Sequence, residues 1–225
     1  MKGITVLLAE DHQIVREGFR ALLKHERDIE VVAEAETGRQ AVQLTRKLRP
    51  AVVVMDIAMP LLNGLEATRQ IRKNFPDTKV LILSAHSDDA YVQQAARLGA
   101  AGFLLKQTSS HILATAIREI ENGHSFFTPS ISRRAHNNSQ KSAAQGGSSR
   151  RNGNRLSSRE VEVLQLIAEG KPNKQVAAEL GVTFKTVDKH RQHLMSKLDI
   201  HDVAGLTRYA IAEGIIESTV RLTIT

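Results

Sequence analysis

The sequence predicts an α/β protein: a doubly wound (βα)5 parallel sheet of strand order 2-1-3-4-5, followed by a small all-α helix-turn-helix domain. Three observations carry this. Short apolar, β-branched runs alternate with helix-periodic stretches across residues 4–122. One run, Val52-Val53-Val54-Met55, is unbroken and ends abruptly on Asp56, as in a strand buried on both faces of a parallel sheet. Residues 156–217 show only helical periodicity, with two short helices joined by a Gly-containing turn.

The predicted strands are 4–9, 30–35, 51–56, 80–84 and 102–105, and the predicted helices are 12–25, 38–48, 64–74, 88–98 and 109–122. Ile14, Gly18, Ala21 and Leu22 share one apolar stripe, as do Ile112, Ala116, Ile117 and Ile120. Right-handed crossovers between parallel strands give the doubly wound order. Asn122-Gly123 closes the fifth helix, with Gly123 as a left-handed cap.

The carboxyl ends of these strands carry the chemistry. The first ends in Glu10-Asp11, the third in Asp56, the fourth in Ser84 and the fifth in Lys106. Strands one and three flank the switch point, where ligands bind in open α/β sheets. Singly, these residues are ordinary: Asp56 a turn former, Glu10-Asp11 a helix cap, Ser84 a loop hydroxyl, Lys106 a surface lysine. Together they place three carboxylates at one spot, which repel one another unless a cation intervenes. A hard divalent ion such as Mg²⁺ suits oxygen donors. Ser84 and Lys106 would complement a phosphoryl group carried covalently by Asp56.

Composition narrows the classes. The 225 residues carry a formal charge of +7, with a pI near 9.9. Lys/Arg and Asp/Glu nearly cancel over residues 1–124 (16 against 15) and cancel over 156–225 (nine each), whereas 125–155 carries six basic residues and no acidic one. The excess therefore belongs to one polar, Ser/Asn/Gly-rich segment. It reads as a flexible linker at 125–154, whose Arg133, Arg134, Lys141, Arg150 and Arg151, with Arg155, serve reach or touch nucleic-acid phosphate. With no cysteine, disulfides, thiolate metal sites and thiol nucleophiles are excluded. No Trp is present, which argues against base stacking on single strands. The sequence has no membrane-length apolar run and no leader pattern, so a cytoplasmic location without membrane contact is expected.

Residues 3–122 resemble the receiver domain of bacterial response regulators. The likeness rests on Leu7-Leu8-Ala9-Glu10-Asp11-His12, Val54-Met55-Asp56-Ile57-Ala58-Met59-Pro60, Gly64, Ser84-Ala85 and Gly99-Ala100-x-Gly102-Phe103-Leu104-Leu105-Lys106. It implies that Asp56 accepts phosphate from a sensor histidine kinase. By the same resemblance, Glu10, Asp11, Asp56 and the Ala58 carbonyl hold Mg²⁺, Ser84 and Lys106 bind the phosphoryl oxygens, and Phe103 is an aromatic switch. Gln107 stands where many receivers have Pro, so no cis peptide is assumed there.

In the second domain Ser157 and Glu160 form a capping box opening a helix whose stripe is Val161, Leu164, Ile167 and Ala168. Gly170-Lys171-Pro172-Asn173 ends it. Helices follow at about 174–180, 184–198 and 202–213. Val176, Ala177 and Leu180 point inward, as do Val187, Leu194 and Leu198. Lys185, Asp188, Lys189 and Gln192 share the opposite face of the third helix, which suits a major groove.

Leu156-Ser157-x-Arg159-Glu160-x-Glu162-Val163-Leu164, Gly170-x-x-Asn173-Lys174-x-Val176-Ala177 and Val182-x-x-Lys185-Thr186-Val187-x-Lys189-His190-x-x-x-Leu194-x-x-Lys197-Leu198 resemble the LuxR-type helix-turn-helix. With the receiver, the chain resembles a NarL/FixJ-type response regulator over nearly its whole length. The implied DNA contacts are Lys174, Lys185, Thr186, Asp188, Lys189, His190, Arg191, Gln192 and Lys197, and the implied dimerisation surface holds Val203, Leu206 and Tyr209. Asp188 sits where many relatives carry a base, which weakens any transfer of sequence specificity; it would accept from a cytosine amino group or orient Lys189.

The expected organisation is a receiver at 1–124, the linker, a helix-turn-helix domain at 155–217 and a tail at 218–225. The expected function is phosphorylation-dependent dimerisation and binding to double-stranded DNA to control transcription. A different class, a phosphate-handling enzyme or phosphate sink with a protein-binding helical domain, also fits the near-neutral second domain.

Overall fold

The computed structural model describes residues 3–85, 89–107, 110–127 and 156–216. The chain divides into two compact units, Met1–Ser148 and Ser149–Thr225. The basic arm from Arg133 to Arg155, the tail at 218–225, and the predicted starts of two helices at Asp88 and Ser109 lie outside the described residues.

The first unit alternates β1 (Ile4–Ala9), α1 (Gln13–Lys24), β2 (Ile29–Ala35), α2 (Gly38–Leu48), β3 (Val52–Asp56), α3 (Gly64–Asn74), β4 (Lys79–Ser84), α4 (Asp89–Arg97), β5 (Gly102–Leu105), α5 (Ser110–Glu121) and β6 (Phe126–Phe127). The sheet is parallel, in the order β2-β1-β3-β4-β5-β6. The order of the first five strands is as predicted. The sixth strand is a correction: Phe126 and Phe127 pair with Gly102 and Phe103, so the polar linker cannot begin at 125. The close approach depends on Gly102, where a Cβ would lie 2.6 Å from the Phe126 carbonyl oxygen.

Period-two alternation splits the strands between two cores. Leu7, Ala9, Val53, Met55, Ile82 and Phe103 pack with Ala41 of α2, Ala67 and Ile71 of α3, and Val92 and Ala95 of α4. Val6, Leu8, Val52, Val54, Leu81, Leu83 and Leu104 pack with Leu23 of α1 and with Leu113, Ala116, Ile117 and Ile120 of α5. Helices on both faces leave β3 wholly buried. Its carboxyl edge is therefore the route from Asp56 to solvent.

Two stripe assignments need correction. On α1 the Ile14-Gly18-Ala21-Leu22 stripe faces solvent, Ile14 being 85% exposed, while Leu23 and Arg16 are buried. Val15, Phe19 and Leu23 form a competing stripe at four-residue spacing, and this one meets the sheet. Periodicity groups residues by face but does not say which face packs. On α5, Ala116, Ile117 and Ile120 are fully buried, but Ile112 is exposed. Gly123 has φ +89°, the left-handed cap that the sequence predicted, and no cis peptide bond occurs among the described residues.

The second unit is helical: α6 (Ser158–Ala168), α7 (Asn173–Leu180), α8 (Phe184–Leu198) and α9 (Val203–Ala212). The predicted capping box opens α6: Ser157 Oγ accepts from Glu160 N–H, and Glu160 Oε2 accepts from Ser157 N–H. Helix α6 is the core of the unit. It buries Val163 and Leu166 as well as Leu164 and Ile167, leaving Val161 and Ala168 only partly covered. Gly181 (φ +60°) caps α7, and Thr183 caps α8 by accepting from Thr186 N–H. Val187 and Leu194 are fully buried and Leu198 half-buried. The α9 face toward this core carries Leu206 and Ala210.

Candidate functional site

The strand register sets the geometry of the acidic site. Ala9 lies opposite both Ala35 and Met55, so the chain leaves β1 beside the end of β3 and presents Glu10 and Asp11 next to Asp56. Asp56 pairs with Leu83, the residue before Ser84. Ser84 pairs with Leu105, and its carbonyl accepts from the Lys106 backbone N–H at 2.8 Å. After Asp56 the chain folds back sharply: Gly64 N–H donates to the Ile57 carbonyl at 2.8 Å. A Cβ on Gly64 would overlap the Asp56 carbonyl. Only glycine permits that approach.

The side chains of Glu10, Asp11, Asp56 and Lys106 are brought together, with Ser84 at the end of the adjacent strand β4. Glu10, Asp56 and Ser84 are each 3% exposed. Lys106 Nζ lies 2.7 Å from Glu10 Oε2 and 2.9 Å from Asp56 Oδ2. Asp56 Oδ1 accepts from Ile57 N–H at 2.8 Å. Glu10 Oε2 and Asp56 Oδ2 are buried without a well-directed hydrogen-bond donor, so the ammonium faces them as charge rather than along a lone pair.

Burial, and then the Glu10 charge, push the Asp56 carboxyl up to about 7 against the pull of Lys106. Lys106 is pushed down by burial, yet Asp56 and Glu10 hold it above its ordinary value. Burial thus leads for Asp56, whereas the neighbouring carboxylates outweigh burial for Lys106. Ligand atoms of Glu10, Asp11, His12 and Asp56 lie within 4.8 Å of one another. Such a donor set, with buried oxygens lacking directed donors, fits a divalent cation.

The sequence reading missed His12, whose Nδ1 lies 3.0 Å from Asp11 Oδ1 and 3.2 Å from Glu10 Oε1. Its adjacency to the acidic pair was the available signal. Phe103 is fully buried and pairs with Ile82, so its ring can turn only by displacing core neighbours. Ala58, half-buried, lies in the loop between β3 and α3.

In the helical unit Lys174, Lys185, Lys189 and Gln192 are exposed, and Thr186, Asp188, His190, Arg191 and Lys197 are partly covered. Thr183, Lys185, Thr186, Lys189, His190 and His193 line one shallow concavity. Thr183 and His193 were not anticipated, although His193 follows Lys189 by one helical turn. Several predicted contacts already have partners. Gln192 Nε2 donates to Asp188 Oδ2 at 3.0 Å, so Asp188 orients Gln192 rather than Lys189. Arg191 donates to Asn173 Oδ1 at 3.0 Å.

Lys197 pairs with Glu160 Oε2 at 3.0 Å. Burial raises the Glu160 carboxyl, but the Ser157 backbone N–H and Lys197 together hold it below its usual range. Lys197 is therefore engaged in the capping box. Leu206 is a further correction, being fully buried within its own unit. Its position on α9, between exposed and buried faces, was misassigned. Val203, at 44% exposure, and half-buried Tyr209 remain on the surface.

A parallel sheet with an acidic, lysine-bearing switch point, joined to a helix-turn-helix, defines a class, and the comparisons agree. Residues 6–118 match the response regulator receiver domain, and 154–210 match the bacterial regulatory proteins of the luxR family. The chain belongs to the response regulators that couple a receiver to a LuxR-type DNA-binding domain. It is 36% identical to the transcriptional regulatory protein DegU of Brevibacillus brevis over 94% of each chain. It is 37% identical to the oxygen regulatory protein NreC of Staphylococcus epidermidis over 94% of this chain and 99% of that one. Among solved structures, the RcsB response regulator of Salmonella typhimurium is similar (27% identity, TM-score 0.61, 95% of this chain and 99% of that one). A structure of two RcsB dimers bound to two parallel DNAs also matches (27% identity, TM-score 0.56, 92% and 98%). Among the described residues no helix is long and apolar enough to cross a membrane.

Proposed function

We propose that Asp56 takes a phosphoryl group from the phosphohistidine of a sensor histidine kinase, and that this event controls transcription through DNA binding by α8. The observation that carries the reading is the buried cluster of Glu10, Asp56 and Lys106 at the switch point, with the Asp56 carboxyl pushed up to about 7. Glu10, Asp11 and Asp56, with the Ala58 carbonyl, would hold Mg²⁺, which supplies charge neutralisation to phosphoryl oxygens when bound. An Asp56 carboxylate oxygen attacks phosphorus, the donor N–P bond breaks, and the electron pair leaves with the imidazole. Lys106 exchanges Glu10 for a phosphoryl oxygen, and the Ser84 hydroxyl donates to another.

The redistributed charge biases the receiver toward a second arrangement, with Phe103 repacking as it forms. The phosphorylated form dimerises, with Val203 and Tyr209 at the surface between helical units. Two copies of α8 then meet half-sites about one turn of duplex apart. Lys174, Lys185, Lys189 and Thr186, with His190, Arg191 and Gln192, contact the duplex. The protein works in the cytoplasm, where both kinase output and chromosome are reached.

The test is duplex binding by the full chain, with and without Mg²⁺ and acetyl phosphate, across a salt series. Phosphodonor should tighten binding, and affinity should fall linearly with log salt. Binding that is indifferent to both would overturn the reading.

A further inference from the structure

Arg16 is a buried arginine in the first turn of a surface helix, 7% exposed, and nothing in the phosphoryl chemistry above uses it. Burying a guanidinium costs several kcal/mol unless its donors are met. Here they are. Nε donates to Glu34 Oε2 at 3.0 Å, Nη2 to Glu36 Oε1 at 2.9 Å, and Nη1 to the backbone carbonyl of Glu10 at 2.7 Å. The third bond matters most, because Glu10 belongs to the acidic cluster. On its other side the Glu10 N–H donates to the Ala35 carbonyl at 2.9 Å. Both polar ends of this residue's backbone are thus fixed, one by the β2 backbone and one by Arg16.

Beyond Ala9 the β1 ladder is over. The carboxylates of Glu10 and Asp11 would otherwise hang from a free loop. Arg16 reaches this loop from the first turn of α1, where its own N–H donates to the His12 carbonyl at 3.0 Å. It binds the end of β2 through Glu34 and the residue after it through Glu36. One planar fork therefore ties loop, helix and neighbouring strand together. Lysine could not hold three acceptors in these directions. Glu34 and Glu36 supply the negative charge that the buried guanidinium needs.

We propose that Arg16 is a positioning residue for the cation site: it holds the Glu10 carbonyl from behind, and so sets where the Glu10 and Asp11 carboxylates stand. The inference rests on the proposed Mg²⁺-dependent function of Asp56. Residues that orient ligands in this way typically change metal affinity by 10- to 100-fold.

The test measures Mg²⁺ binding to the full unphosphorylated chain by calorimetry, together with the Mg²⁺ dependence of acetyl phosphate labelling. The proteins are wild type, Arg16→Lys, Arg16→Gln, Glu34→Gln and Arg20→Gln. Arg20 also contacts Glu34, at 3.2 Å, but from an exposed position away from Glu10. Arg16→Gln and Arg16→Lys should weaken Mg²⁺ binding by about 10-fold or more. Their labelling rate should return to the wild-type maximum at saturating Mg²⁺. Glu34→Gln, which loosens the fork without removing it, should shift Mg²⁺ affinity the same way by less, and Arg20→Gln should not shift it. If the Arg16 variants fail to fold, Glu34→Gln alone decides.

Unchanged Mg²⁺ affinity in folded Arg16 variants overturns the proposal. So does a maximal labelling rate that stays low at every Mg²⁺ concentration, which marks a general structural defect. If wild type itself binds no Mg²⁺ and takes no phosphate, the reading of Asp56 fails, and this inference falls with it.

Discussion

Asp56→Asn should stabilise the receiver, increasingly as pH rises from about 4 to about 7 and fully above that. Asp56 is buried and its carboxyl is raised from 3.8 to about 7, first by burial and then by Glu10. A group whose folded value lies above its unfolded value favours folding when protonated. That contribution is complete below pH 3.8 and is lost as pH rises toward 7. At 1.36 kcal/mol per tenfold change, the ionised carboxylate costs the folded state about 4 kcal/mol. Asparagine keeps the oxygen that accepts from Ile57 N–H but turns an amide toward Lys106, so a net gain of about 2 to 4 kcal/mol is expected at pH 8. That corresponds to a rise on the order of 10 °C in the receiver's unfolding midpoint. Scanning calorimetry of wild type and Asp56→Asn from pH 4 to pH 8.5 reads it directly. The gap should grow as pH rises from about 4 to about 7, level off above 7, and close toward pH 4. Mg²⁺ should narrow it by stabilising wild type more than the variant. A variant no more stable than wild type at pH 8, or a gap independent of pH, would refute the electrostatic account.

Lys106→Met removes the ammonium that occupies Glu10 and Asp56; Mg²⁺ should then bind at least as tightly while acetyl phosphate labelling falls, measured by calorimetry and intact mass. Gly64→Ala drives a methyl into the Asp56 carbonyl, so chemical denaturation should show a loss of about 2 kcal/mol or more in the receiver. Leu206→Ala empties a fully buried site and should cost the helical unit about 2 to 5 kcal/mol, against a small change for exposed Val203→Ala. In duplex-binding titrations across salt, Lys185→Ala and Lys189→Ala should each lower the log-log slope by about one. Lys197→Ala, which frees Glu160, should instead lower the stability of the helical unit and leave the slope nearly unchanged.

The doubly wound sheet was legible because period two and period 3.6 alternate cleanly along residues 4–122, and because the Val52–Met55 run ends on a carboxylate. Asp56, Ser84 and Lys106 could be found by asking only what stands at the carboxyl end of each strand. Other features were illegible for physical reasons. Phe126–Phe127 is too short a strand to show a period and precedes polar sequence, so it read as linker. The wrong face of α1 looked apolar, because Ile14 and Leu22 are as hydrophobic as the Phe19 and Leu23 that pack. Arg16 drew no reading at all, since nothing local announces partners at positions 34 and 36. The pairing of Lys197 with Glu160 was illegible because the two lie 37 positions apart. Each of these features turned on a contact between distant segments. The successes turned on chemistry at strand ends, where the fold class alone determines the neighbours.

The most direct measurement is the intact mass of the full chain after incubation with Mg²⁺ and acetyl phosphate, wild type beside Asp56→Asn, with EDTA controls. The account predicts one added phosphoryl group on wild type, lost on mild alkaline treatment as an acyl phosphate is, and none on Asp56→Asn or in EDTA. Equal labelling of the variant, or labelling of wild type that ignores Mg²⁺, would contradict it.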